Sequence, residues 1–402
     1  MSTSTIRLTK RALGIQPSAT LAVDARAKAL AAEGRDIVNL GVGEPDFLPP
    51  PAATEAALTA IREGFAKYTV AAGFLELRQA IAEKLLVDNG LEYKPEQIVV
   101  STGAKQALYN AFQVLCEEGD EVLIPSPYWV TYPEQVRLAG GIPVFVESDA
   151  KAGYHIEVAA LEAKLTPRTR LLVLNSPCNP TGAIETPESI QAIAEFAVRH
   201  DLSIISDEIY EKLVYHGAVH KSPAAVSPEA KRRTVVVNGA SKAYAMTGWR
   251  IGYAAAEPPV AKAMAEFQGH VTSNANSIAQ KALLGALRGD ADAVAKMVRE
   301  FEARRDYTVR RLKAMPGLEV PDPQAAFYVF PTLGDLVGRK VAGKVVRNGD
   351  DLTVALLDGT GVAVVPGACF GRPDAFRISY ATSMANLAKG LDRIEQALRA
   401  AK

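Results

Sequence analysis

"RLLVLNSPCNPTG" (Arg170–Gly182) is followed by "SIQAIAEFAVRH" (Ser189–His200) and "LSIISDEIY" (Leu202–Tyr210), and these three segments decide how the chain folds. The outer two are short apolar runs closed by polar and proline signals, the pattern of buried strands. The middle one spaces Ile190, Ile193, Ala194 and Ala197 as the apolar stripe of a helix. A helix of more than ten residues between two such strands is the crossover that parallel pairing requires. The runs show no polar alternation, so both faces of the sheet are covered.

The same alternation extends outward. "ELRQAIAEKLLVDNG" (76–90) has helical spacing and ends in Asn-Gly, a stop signal; "QIVVS" is a strand and "AKQALYNAFQVLC" a helix. "EVLIPS", "IPVFVE" and "RTVVVNGASK" supply further strands up to about residue 255. Beyond that the character changes. "DAVAKMVREFEARRDYTVRRLKAMPG" (292–317) is a long charged amphipathic helix, "AAFYVFP", "GVAVVPG" and "AFRISYA" read as strands, and a helix closes the chain. The expectation is an α/β protein: a large domain, residues 48–295, with a mostly parallel sheet covered by helices, and a smaller α+β domain. The smaller domain is discontinuous, built from residues 1–47 with an N-terminal arm and from residues 296–402.

The 402 residues suffice for two cores. Forty-five basic residues balance 45 acidic ones, so no global field favours nucleic acid or an anionic membrane. No apolar run approaches a membrane span, and the first residues lack a signal-peptide core, so a cytoplasmic protein is expected. Cys116, Cys178 and Cys369 have no paired spacing, and the five histidines form no metal-ligating pattern, so no metal is expected.

In open parallel sheets, ligands bind beyond the carboxyl ends of the strands, so the polar residues after each apolar run are the candidates. "STGAKQAL" (101–108) turns through Gly103 and Ala104 into a helix, either as a plain turn or as an anion cradle. "NSPCNPTG" (175–182) is a proline-rich turn or a rigid mount for Asn179. Asp207 is a helix cap or, with Tyr210, part of a ligand site. Lys242 follows the run Thr234–Val237 among Gly239, Ala240, Ser241 and Ala243. A lysine there is a solvated charge, or an amine made nucleophilic by burial. A phosphate cradle, a carboxylate, a phenol, an asparagine and a lysine at neighbouring strand ends are together what pyridoxal 5'-phosphate requires.

With these residues in place the sequence resembles the fold-type I, class I/II pyridoxal-phosphate aminotransferases, in particular the bacterial aspartate aminotransferase group, and the resemblance implies that the mostly parallel sheet of the large domain is seven-stranded. "SATLAV", "GVGEPDF", "KYTVAAG", "GAKQAL", "SPYWVTYPE", "NSPCNPTG", "SDEIYE", "AMTGWRIGY", "GVAVVPG" and "RISYA" occur in that order between about Pro17 and Leu398. The resemblance implies that Lys242 carries the cofactor and shuttles the substrate proton, and that Asp207 keeps the ring nitrogen protonated. It implies that Tyr210 and Asn179 bond the ring's phenolic oxygen and that Trp129 stacks on the ring. Gly103, Ala104 and Lys105, with Ser241 and Arg250, would bind the phosphate, and Tyr68 would reach it from a second subunit of a homodimer. Arg377 would clamp the α-carboxylate with Asn179 and the Gly43 backbone. Lys105, with Ser18 and Thr20 nearby, would meet a distal carboxylate.

The implied reaction is ping-pong transfer of an amino group from aspartate or a related dicarboxylic amino acid to 2-oxoglutarate. The alternatives are broader specificity (prephenate, glutamate or aromatic amino acids) or a β-lyase. Five departures bear on specificity. Gly239 stands where many relatives carry a phosphate-binding serine. Cys178, Val70, Ala325 and Gln16 also differ from frequent residues.

Overall fold

The computed structural model describes residues 6–17, 19–289 and 292–402; Ser18 lies outside them. Its strands are β1 (Val38–Asn39), β2 (Ile98–Ser101), β3 (Glu121–Ser126), β4 (Ile142–Glu147), β5 (Thr169–Asn175), β6 (Ser203–Asp207) and β7 (Thr234–Gly239). Next come β8 (Gly252–Ala255), β9 (Tyr328–Val329), β10 (Lys340–Val341), β11 (Lys344–Val345), β12 (Val362–Ala363), β13 (Val365–Pro366) and β14 (Phe376–Ser379).

Seven of these form one sheet in the order β2-β8-β7-β6-β5-β3-β4. The neighbours from β7 to β4 pair in parallel, whereas β8 runs antiparallel to both β7 and β2. The mostly parallel seven-stranded sheet is as the sequence predicts. At β8 the connection is not a crossover: residues 240–251 form only the short helix Ala240–Ala243 and the 3-10 turn Thr247–Trp249, and the chain returns as a wide hairpin pairing Gly239 with Gly252. That excursion carries both Lys242 and Arg250.

Alternate residues of each strand enter different cores, the period-2 signature of a sheet buried on both faces. Leu171 and Val173 of β5, Ile205 of β6 and Val237 of β7 join one cluster. Leu172, Leu174 and Ile204 join another with Ile190, Ile193 and Phe196 of the helix Pro187–Arg199, and Val236 joins a third. That helix begins on Thr186, whose hydroxyl accepts from the Ser189 N–H at 3.2 Å, with Pro187 in its first turn. The helix Leu75–Asn89 stops on Gly90 in the left-handed conformation, as the Asn-Gly signal predicts.

The remaining chain builds a smaller layer. β14 lies between β13 and β9, all antiparallel, and β1 pairs in parallel with β12. The N-terminal segment therefore joins the C-terminal part directly. The helices Asp292–Lys313 and Met384–Arg399 pack together and are tied by Arg311 to Asp392 at 2.7 Å and to Glu395 at 2.9 Å. One hydrophobic cluster runs from Phe112 and Val237 at the large sheet to Phe301, Phe327, Phe376 and Leu391, so the two layers share a core. Among the described residues, no helix is long and apolar enough to cross a membrane.

Candidate active site

The carboxyl ends of β5, β6 and β7 lie side by side, which brings Asn175, Asp207 and the excursion 240–251 together. The helix Ala104–Leu115 starts beside them, and residues 41–44, Tyr328 and Arg377 of the smaller layer close the space. The result is a cavity of about 460 Å³. Gly43, Ala104, Lys105, Trp129, Asn179, Asp207, Tyr210, Ser241, Lys242, Arg250 and Arg377 all line it, as does Thr20. Tyr68 does not: it is 90% exposed on the single chain.

Gly103 adjoins the cavity without lining it. Its N–H donates to the Ser101 carbonyl at 2.8 Å. Its contribution is spatial. Its φ is +80°, and a Cβ there would lie 2.7 Å from Arg250 Nη2. The first bonds into this helix come from the N–H groups of Gln106 and Ala107, leaving those of Ala104 and Lys105 at its positive end.

Four cations converge here. Among the described residues, Lys105, Lys242, Arg250 and Arg377 form no ion pair with any carboxylate. Half-buried Lys242 donates from Nζ to the Gly43 carbonyl at 2.6 Å. Burial lowers its pKa to about 8, with the Arg377 and Arg250 charges adding to the effect and Glu44 opposing it. Lys105 places its ammonium 4.9 Å from the Trp129 ring centre, and burial together with Arg250 lowers its pKa. Arg250 is held in the left-handed conformation at φ 53° and donates to the Thr247 carbonyl at 2.7 Å.

Arg377 is 2% exposed and lies on the Tyr328 ring at 4.4 Å and the Phe370 ring at 5.1 Å. Its Nη1 donates to Asn179 Oδ1 and its Nη2 to the Gly41 carbonyl, both at 2.8 Å. Its buried Nε has no hydrogen-bond partner among the described residues. Asn179 is fixed in turn by its N–H to Asn175 Oδ1 at 2.9 Å, while Asn175 Nδ2 bonds the Asp207 carbonyl at 3.0 Å. The expected rigid mount for Asn179 is thus Asn175; the Ser176–Pro177 peptide beside it is cis.

Asp207 is buried and accepts from Tyr132 Oη at 2.7 Å and from the Ile209 N–H at 3.3 Å. Burial raises its pKa to about 6 against these two donors. Tyr210 and Tyr328 share a hydrogen bond between their hydroxyls at 3.0 Å. Asn175, Tyr132, Tyr328 and Thr247 line the cavity although no sequence signal singled them out. The turn after Asp207 has a second face. There Glu208, Glu211 and His220, a trio able to ligate a metal, lie buried together. Every carboxylate oxygen is already taken: Ser206, Ser222 and His220 bond Glu208, and Lys84 and Asn89 bond Glu211.

Gly239 has a packing reason. A Cβ there would lie 2.7 Å from Gly252 Cα and 2.9 Å from the Ile251 carbonyl, so the approach of β8 excludes a side chain. A site with four unpaired cations, one buried carboxylate and a lysine of lowered pKa suits a polyanionic ligand and amine chemistry.

The chain matches the family described as aminotransferase class I and II over residues 35–394. It is 47% identical over 395 residues to an aspartate aminotransferase of Geobacillus stearothermophilus, covering 98% of this chain and 100% of the relative. It is equally 47% identical, over 393 residues, to a probable aspartate/prephenate aminotransferase of Aquifex aeolicus, covering 97% and 98%. A solved structure of Thermus thermophilus aspartate aminotransferase with maleate matches at a TM-score of 0.92 and 44% identity, covering 98% of this chain and 100% of that one.

Proposed function

The chain belongs to the class I and II aminotransferases, and from that premise we propose that it moves the amino group of aspartate, or of a related dicarboxylic amino acid, to 2-oxoglutarate. The carrier is pyridoxal 5'-phosphate, and donor and acceptor use the same cavity in turn. The observation that carries this reading is the set of cations without ion pairs: Arg250, Arg377 and Lys105 match a phosphate, an α-carboxylate and a distal carboxylate, and Lys242 remains as the reactive amine. The relatives are named for aspartate, and the Thermus thermophilus structure holds maleate, itself a dicarboxylate.

The residues fit the cofactor. Asp207 is a buried carboxylate with two hydrogen-bond donors and no cation, so a pyridinium would complete it. Gly103 lacks the Cβ that would fill the cradle between the helix start and Arg250. When bound, pyridoxal phosphate supplies an electron sink conjugated to the substrate's α-carbon. Lys242 would take the proton from that carbon and return it, and its lowered pKa keeps a working fraction neutral near pH 7. Tyr210 and Asn179 would hold the phenolic oxygen, and Trp129 would cover the ring. The Ala104 and Lys105 N–H groups, Ser241 and Arg250 would hold the phosphate. Arg377 would grip the α-carboxylate beside Asn179 and Gly43.

The test is a half-reaction panel on the cofactor-loaded protein, followed by its absorbance, with the wild type and Lys105→Ala. Aspartate should convert the cofactor far faster than alanine, and Lys105→Ala should erase that preference by roughly 10- to 100-fold, the loss of one charge-assisted bond. An aspartate rate no better than alanine's removes the dicarboxylate assignment; a protein that takes up no cofactor removes the whole reading. The Aquifex aeolicus relative favours a second reading, activity toward prephenate as well, and prephenate belongs in the same panel.

Three coarser points complete the proposal. Tyr68, exposed and outside its own chain's cavity, would serve the partner's phosphate in a homodimer. The chain would divide into residues 48–295 and a discontinuous unit of 1–47 and 296–402. The compartment would be the cytoplasm. Sedimentation of the wild type, and cofactor affinity of Tyr68→Phe, test the first of these.

A further inference from the structure

Two donors hold the Asp207 carboxylate, and they are unequal. The Ile209 N–H is long, at 3.3 Å, and belongs to the same turn; Tyr132 Oη, at 2.7 Å, comes from the separate helix Thr131–Leu138. Tyr132 is 1% exposed and set edge-on against Trp129 at 5.4 Å, so its ring is fixed by packing. Among the described residues its hydroxyl bonds Asp207 alone, and burial followed by the Asp207 charge keeps the proton on the phenol. The other titratable or charged groups facing Asp207 are Lys242 from the excursion after β7, Cys178 from the loop after β5, and Glu208 and Tyr210 from its own turn. None of them forms a hydrogen bond or an ion pair with its carboxylate among the described residues.

We propose that Tyr132 is a positioning residue: its hydroxyl keeps Asp207 ionised and aimed into the cavity before any ligand arrives. The inference rests on the reading of Asp207 as counter-charge to a protonated ring nitrogen. The physical ground is that a buried carboxylate stays charged only where donors replace its lost water, and Tyr132 supplies the better of two. With the phenol removed, one long backbone bond remains. Asp207 then takes up a proton in the range where the enzyme works, and a protonated carboxyl gives a pyridinium no counter-charge.

Tyr132→Phe keeps the ring and its packing and removes only the hydroxyl. The Asp207 titration is read directly by carbon-13 NMR of the cofactor-free full chain labelled at aspartate, its resonance assigned by its absence in Asp207→Asn. Tyr132→Phe should shift that titration upward by about one to two pKa units, a 10- to 100-fold change in the ionisation constant. Pyridoxal phosphate affinity should fall in parallel, most at pH 6.5 and least at pH 8.5. In the Asp207→Asn background, Tyr132→Phe should change the affinity less than twofold, because the group it acts through is gone. An unmoved Asp207 titration overturns the proposal, as does an equal loss of affinity in the Asp207→Asn background, which would mark a merely structural tyrosine. If the wild type binds no pyridoxal phosphate, the proposed function falls, and the NMR titration alone still decides what Tyr132 does to Asp207.

Discussion

Replacing Arg377 with lysine separates the grip on the α-carboxylate from everything else in the cavity. Arg377 spends two N–H groups on Asn179 and Gly41, at 2.8 Å each, and stacks on Tyr328 and Phe370. Its guanidinium has five N–H donors, so three remain, the partnerless Nε among them. They are enough for a forked grip on a carboxylate. Lysine keeps the charge and loses the planar fork and the stack. Losing one charge-assisted bond costs about 1.5–3 kcal/mol, and the weakened cation–π contact roughly 0.5–1 kcal/mol more. Together these make about 2–4 kcal/mol, or roughly a 30- to 1,000-fold loss in kcat/KM. Every α-amino acid carries the group concerned, so the loss should be equal for aspartate and alanine and should fall mainly on KM. Steady-state and half-reaction kinetics with both substrates measure it, with cofactor affinity as the control that should stay unchanged. A loss confined to aspartate would refute the reasoning, because it would put the distal carboxylate, not the α-carboxylate, on Arg377.

The Lys242 amine, depressed by burial from 10.5 to about 8, makes the unfolded chain bind more protons between those values, so stability rises with pH across that window. Lys242→Met should therefore melt above the wild type at pH 7 in the cofactor-free state, with the gap closing toward pH 10.5; equal melting temperatures at pH 7 would contradict it. Gly239→Ser installs the serine that the family resemblance implies at this position but drives a Cβ into the backbone of Gly252 and Ile251. A destabilisation of about 1–3 kcal/mol and no gain in cofactor affinity are expected by urea unfolding and cofactor titration. A stable variant with tighter binding would show that the contact relaxes freely.

The fold was legible because its strands are buried on both faces: Leu171 to Leu174 form an unbroken run precisely where odd and even residues enter different cores. Lys242, Asp207 and Asn179 were legible because a polar residue just past such a run has few structural reasons to be there. Tyr132 and Tyr328 carried no comparable mark. Each reads as an ordinary core aromatic, and each takes its meaning from a partner far along the chain, Asp207 for one and Tyr210 for the other. Glu208 and Glu211 look like a solvated pair at helical spacing, yet both are buried and pair with Lys84, from a distant helix, and with His220 further along the same chain segment. Gly239 was visible as a missing serine, while its cause lies across the sheet in Gly252.

The common reason is that strand order in space is not strand order in the chain. β5, β6 and β7 follow one another in both, so the residues at their ends could be grouped by inspection. β8 and β2, by contrast, are far apart in sequence and adjacent in the sheet, and their pairing brings the helix start at Ala104 against the excursion that holds Lys242 and Arg250. An anion site made of a helix start and an arginine exists only because of that pairing. The antiparallel β8, an interruption of the expected pattern, is the element that assembles it.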